Sequence, residues 1–358
     1  MNNVHNKAFK SDSQRLAVSL RSSIAKRRSH LNAALCDFER MVKLNSLYII
    51  GNGFDLHHGF NTRYSNFAEY LQAHSPDLLD LIHCYYYQEN GVDLWANFEE
   101  SLANFDKEAL LEDLSDYLPV ISSDEFRDRD WYSFSIEVQN KVGVLTRGLC
   151  EEFRKFILSA TSDNRVDSKL KLTLQPNAKF LSFNYSDTLE KHYSVPQSNI
   201  TYIHGKASDF SAPLILGHGI DPNEFKVVPE KPPENVSPED LDRWYEYMSD
   251  NFDYAYEQGL EEVYGYYVNS FKNTASVIES HSYFFTSLDS IDNVFVLGHS
   301  LSEVDLPYFQ QVYANLPEHC KWYISFRGET EYLEKQETIQ NVGVPRRLVS
   351  MIELCDIA

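Results

Sequence analysis

Leu47-Tyr48-Ile49-Ile50-Gly51-Asn52-Gly53-Phe54-Asp55 reads as a short apolar strand that breaks into a glycine turn. Gly51 and Gly53 permit backbone angles and close approaches that a Cβ blocks, and N–H groups beyond the turn can face an anion. On its own the stretch fits either a phosphate-binding turn or an ordinary tight strand exit. Further strand candidates lie at Lys179 to Phe183, Ile200 to Ile203, Pro213 to Leu216, Val294 to Leu297 and Trp322 to Phe326. Most are short, apolar and unalternated, as strands buried on both faces of a parallel sheet tend to be. The expected class is therefore an α/β layer fold with a mostly parallel sheet.

Two segments are too long to be crossover loops. Residues 64–175 read as a helical insertion, with helices over Tyr64 to His74, Trp95 to Leu118 and Ser133 to Ala160. Residues 221–285 form a second insertion. Within it, residues 221–262 hold thirteen Asp/Glu against Lys226, Lys231 and Arg243, a net of −10, interleaved with Trp244, Tyr245, Tyr247, Phe252, Tyr254 and Tyr256. Its start, Pro229 to Pro238, has the prolines and charges of an exposed loop, and an acidic helix is expected to follow. That helix is either a solvated one whose aromatics meet the core or a partner-binding face.

With 358 residues, 43% of them hydrophobic, the chain has enough apolar surface for one large core or two modest ones. No apolar run approaches the ~20 residues that span a bilayer. No secretory signal pattern opens the chain, so a cytoplasmic location is expected. Cys36, Cys84, Cys150, Cys320 and Cys355 are scattered and never form Cys-x-x-Cys, which supports neither a disulfide framework nor a cysteine zinc site. The net charge of −21 repels nucleic acid and anionic membranes over most of the surface. Residues 1–43 differ: nine Lys/Arg against three acids give +6, which leaves −27 on residues 44–358. This basic extension, with Leu16, Val18, Leu20 and Ile24, is a solvated helix or tail, or it binds nucleic acid through residues 7–43, a membrane surface or another subunit's acidic body. Met41 offers an alternative start just before the first strand.

Three more motifs follow expected strands: Phe183-Asn184-Tyr185-Ser186-Asp187-Thr188-Leu189-Glu190, Tyr202-Ile203-His204-Gly205 and Leu297-Gly298-His299-Ser300-Leu301-Ser302-Glu303-Val304-Asp305. Ligands of open α/β sheets bind at such strand ends. Taken singly, Asn184 and Asp55 suit helix caps as well as chemistry, His204 suits a satisfied core histidine, and Ser300 and Ser302 suit helix starts. Four polar strand ends in one chain favour a shared site.

In order along the chain, Gly51 to Asp55 with Thr62, Tyr64 and Phe67, Leu94-Trp95-Ala96-Asn97-Phe98-Glu99-Glu100, Phe183 to Glu190, Ile203-His204-Gly205 and Leu297 to Tyr308 resemble the AbiH family of phage abortive-infection proteins. The resemblance covers nearly everything from about Leu44 onward. More distantly, the same order is similar to the sirtuin-like NAD-binding fold. That likeness implies a Rossmann-like sheet and NAD as substrate. It places Gly51, Asn52, Gly53, Phe54 and Asp55 around the dinucleotide, Asn184 and His204 at the nicotinamide ribose as catalytic residues, and Gly298, His299, Ser300 and Asp305 on the cofactor-binding side. His299 departs from the smaller polar residue that sirtuins usually carry there. The four-cysteine zinc module of protein-deacylating sirtuins is also missing, which disfavours deacylation and leaves NAD hydrolysis. The expected partners are NAD, a phage-derived trigger and further copies of the chain.

Two other readings remain at this level. His57, His58, His204, His218 and His299 with Asp55, Asn184 and Asp305 are potential ligands of a metal-dependent phosphoesterase or nuclease, although the Gly-Asn-His signature is absent. The same pocket also suits a non-catalytic nucleotide-binding sensor.

Overall fold

In the computed structural model, residues 45–357 are described except for 88–92, 163–165 and 229. The basic extension of residues 1–43 thus lies outside the described residues. Six strands, β1 (Ser46–Ile50), β2 (Lys179–Ser182), β3 (Ile200–Tyr202), β4 (Asn293–Leu297), β5 (Lys321–Ser325) and β6 (Val349–Ile352), form one sheet. Their order is β3-β2-β1-β4-β5-β6 and every pair is parallel. This is the Rossmann order, in which the winding direction reverses between β1 and β4.

The pleat explains why β1 is apolar throughout. Tyr48 lies opposite Phe180 on one side and Phe295 on the other, and Phe295 lies opposite Tyr323. Their rings stack at 5.1, 5.1 and 4.9 Å, so one aromatic row crosses four strands on a single face. Leu47 and Ile49 point the other way, into a core with Leu181, Val294, Val296, Trp322 and Ile324. Each such fully buried side chain stabilises the fold by about 1.5–3 kcal/mol relative to exposure. Both faces are covered, so both residue parities must be apolar.

The two insertions share a third core. Phe67, Phe98, Phe134 and Phe153 from residues 64–175 meet Val263 and Tyr266 of the helix Tyr254–Asn269. A Cβ at Gly259 would lie 2.3 Å from the Phe134 ring, so the glycine lets these helices approach.

Several expectations change. Pro213 to Leu216 is not a strand: it runs irregularly beside the β3 exit, where Ile215 N–H donates to the His204 carbonyl at 2.9 Å and the Ile215 carbonyl accepts from Tyr185 at 2.8 Å. The helix expected over Trp95 to Leu118 is broken into Phe98–Ser101, Lys107–Asp113 and a short 3-10 turn. Phe105 leaves the helical path to bridge Tyr86, and Asp106 restarts the helix by accepting from Ala109 N–H at 3.0 Å. Helix does run across Ser133–Ala160, with a π turn at Val144–Gly148. Among the described residues, no helix is long and apolar enough to cross a membrane.

Candidate functional site

A cavity of about 640 Å³ opens at the carboxyl ends of the strands, across the β1/β4 reversal, with residues of the helical insertion as its opposite wall. The β1 and β4 exits are joined through their backbones. Gly51 N–H donates to the Leu297 carbonyl at 3.0 Å and Gly53 N–H to the Gly298 carbonyl at 2.7 Å. Gly298 has φ +67, and a Cβ on it would lie 2.2 Å from Phe54 N; one on Gly51 would lie 2.5 Å from His299 Cα. These glycines therefore serve contact between two turns, and the Gly53 N–H is already spent on protein. Asn52 is occupied as well, donating to the Thr62 carbonyl at 2.9 Å and accepting from the Thr62 hydroxyl at 2.6 Å. Phe54 faces the core against His58 and Tyr193.

Asp55 ties the β1 exit to the β2 exit, accepting from Ser186 at 2.5 Å and Thr188 at 2.7 Å. Burial raises its pKa from 3.8 to about 6, against the two hydroxyl bonds that hold it down. Asn184, 5% exposed, also helps to favour the Asp55 charge, yet its amide oxygen and nitrogen have no partner of hydrogen-bonding geometry. An amide buried without partners is costly, and Asn184 is among the residues that line the cavity.

His204, at the β3 exit, is likewise buried, and its Nε2 has no partner. That atom lies 3.7 Å from Asp305 Oδ1. Burial first, then the charge of Lys272 and the neighbouring His299, push its pKa well below 6.5. His204 is consequently neutral at physiological pH. His299 is fixed differently: its Nδ1 accepts from Leu301 N–H at 2.9 Å, which leaves the ring proton on Nε2, 3.5 Å from Asp305 Oδ2. Its pKa falls to about 3 through burial, with Lys335 and Lys272 adding to the shift. Leu301 holds φ +63, in the left-handed region that side chains with a Cβ seldom adopt. Ser300 is exposed on the cavity wall.

Asp305 anchors a cluster that the sequence reading left incomplete. Lys272 Nζ, its side chain fully buried, donates to Glu99 Oε2 at 2.7 Å and forms an ion pair with Asp305 Oδ1 at 2.9 Å. Tyr64 donates to the other Glu99 oxygen at 2.5 Å. Burial alone would lower the Lys272 pKa, but Glu99 and Asp305 override it and hold the ammonium charged. Glu99 and Tyr64 stood within the motifs quoted above, whereas Lys272, an isolated lysine after Phe271, carried no signal. Gly217-His218-Gly219 places it: His218 N–H donates to the Ser270 carbonyl at 2.9 Å and Lys272 N–H to the His218 carbonyl at 2.8 Å. A Cβ on Gly217 would lie 1.9 Å from the Ser270 oxygen.

Of the candidate metal ligands, Asp55, Asn184, His204, His299 and Asp305 line the cavity, whereas His57, His58 and His218 are engaged elsewhere. His218 packs against Phe225 and Phe271, with its pKa lowered by burial to about 4. His57 meets the Leu170 carbonyl, and His58 the Phe54 carbonyl and Tyr193 hydroxyl. Among the described residues, no group of three or more His, Cys, Asp or Glu is placed to hold a metal ion. The Lys272 ammonium itself joins the Glu99 and Asp305 carboxylates. Among the described residues, Asp55, Asp93, Glu99, Glu100, Asp305 and Glu331 stand around the cavity, with Arg63 the one Lys or Arg in the lining.

A fully parallel sheet in this order, with a polar crevice at its topological reversal, defines a Rossmann-like α/β protein with a strand-end cavity, the place where open α/β sheets bind ligands. The chain belongs to the AbiH family, described as bacteriophage abortive infection AbiH, whose model matches residues 47–326. The match runs from β1 to just past β5, leaving β6 outside. No curated protein and no solved structure matches the chain.

Proposed function

We propose that this chain is an abortive-infection effector that binds NAD in the strand-end cavity and hydrolyses its nicotinamide–ribose bond. The observation that carries the reading is the pairing of Asn184 and His204: adjacent strand ends bring two buried side chains with unpartnered polar atoms to one cavity. In this reaction the C1′–N1 bond breaks and nicotinamide leaves with the bonding pair. Positive charge develops on the ribose, a water oxygen adds to C1′, and one proton is released. The six carboxylates suit both the cationic nicotinamide ring and the oxocarbenium-like centre. Asn184 orients the ribose or the attacking water. Neutral His204 accepts a proton through Nε2, and Asp305, 3.7 Å away, stabilises the imidazolium that results. Since His299 is turned onto Leu301 and Asp305, Ser300 is the side chain of that turn left for the adenosine side.

Purified protein incubated with NAD is expected to release free nicotinamide, and Asn184→Ala or His204→Ala to slow release by ~100-fold or more. Cells expressing the wild type should lose NAD on infection while either variant keeps it. Protection from phage with NAD unchanged would replace hydrolysis by nucleotide sensing, and loss of turnover on adding a chelator would replace it by metal-dependent cleavage.

A further inference from the structure

The helix Pro238–Asp250 is used by neither the core nor the cavity. Its start is locally encoded: Ser237 Oγ accepts from Asp240 N–H at 3.2 Å and Pro238 occupies the first turn. Yet none of its thirteen residues is buried. Leu241, Trp244, Tyr245 and Met248 fall at i, i+3, i+4 and i+7, which makes one apolar stripe, and none of them joins any of the three core clusters. A helix of this length is marginal in water without a packed face. Asp240 and Asp242 flank the stripe, Glu239, Glu246 and Asp250 lie on the opposite face, and the only opposing charge on the helix, Arg243, pairs with Asp240 at 3.2 Å.

The chain carries a complementary sequence. Leu16, Leu20 and Ile24 recur at four-residue spacing among Arg15, Arg21, Lys26, Arg27 and Arg28, within the segment of net charge +6. From Ile24 to Asn45, where the described residues begin, the intervening chain spans up to ~70 Å when extended. A compact chain of this length has a radius of gyration of about 20 Å, so every face of its own body is within reach. Tethering also supplies a local concentration on the order of millimolar, which favours the segment of the same chain over that of a second copy.

We propose that residues 15–28 dock on the Pro238–Asp250 helix of the same chain, apolar stripe against apolar stripe and basic side chains against its carboxylates. The interaction is independent of what the cavity binds. A carbodiimide that joins lysine amines directly to carboxylates, applied to the full chain as a mixture of ¹⁴N- and ¹⁵N-labelled protein, reads it out. Lys26 is expected to link to Asp240 or Asp242 within chains of one isotope. Trp244→Ala/Met248→Ala leaves every carboxylate in place, and Arg21→Glu/Arg27→Glu/Arg28→Glu leaves Lys26 in place; each should reduce the link by about tenfold. The second variant alters only residues outside the described fold, so it tests the contact without touching the helix. Equal link yields in the wild type and both variants would overturn the proposal, as would links that join the two isotopes in statistical proportion, which would assign the helix to a second copy.

Discussion

Asp55 shows how a single carboxyl records the construction of the site. It is 2% exposed, it accepts two hydroxyl bonds from the β2 exit, and its pKa is nevertheless raised to about 6 because burial outweighs those bonds. The folded pKa lies above the 3.8 of an unperturbed Asp, so the folded state binds the proton more tightly than the unfolded chain does. The corresponding stability is complete below pH ~4 and is lost as the pH rises through 6, an amount on the order of 3 kcal/mol. Asp55→Asn keeps an acceptor for Ser186 or Thr188 and has no proton to lose. Urea unfolding at pH 4 and pH 7 is expected to show the wild type losing about 2.4 kcal/mol more than this variant across the interval. Equal pH dependence would mean that the carboxyl is better solvated than its position implies.

Elements meet at Lys272. It follows the helix Tyr254–Asn269, while Glu99 comes from the helical insertion and Asp305 from the segment after β4, so one ammonium joins three separate parts of the chain. Lys272→Met fills the same space and leaves two carboxylates facing each other without a cation. The expected loss is about 3 kcal/mol, the lower end for breaking a buried pair because both carboxylates also line the cavity. Thermal unfolding of the variant checks this, and addition of Glu99→Gln should recover part of the loss. The four strand ends were legible because apolar runs followed by Gly, Asn or His are local signals. Lys272 was not, because its role depends on a backbone bridge to His218, 54 positions earlier in the chain. Register and burial likewise separate β6 from Pro213 to Leu216. Val349–Ile352 is a half-buried edge strand whose pairing with β5 makes it a strand, while Pro213 to Leu216 looks more apolar but has its Ile215 groups bonded to His204 and Tyr185. Neither fact is written in the segment itself.

At the scale of the whole molecule, charge and cavity impose opposite demands on an anionic substrate. Residues 44–358 carry −27, a count that includes the six carboxylates around the cavity, so NAD, as the substrate proposed above, would approach through a repulsive field before its cationic ring met an attractive wall. Repulsion over the approach is long-ranged and screened by salt, whereas contacts inside the cavity are short and screened much less. Raising the ionic strength from ~20 to ~200 mM shortens the Debye length from about 20 to about 7 Å, which should raise kcat/KM for NAD severalfold with little change in kcat. A protein that recruits its substrate through basic surface shows the reverse slope. Steady-state nicotinamide release across that salt range decides between them. A fall in kcat/KM would mean that Arg63 and the cavity rim, rather than the acidic body, govern the encounter.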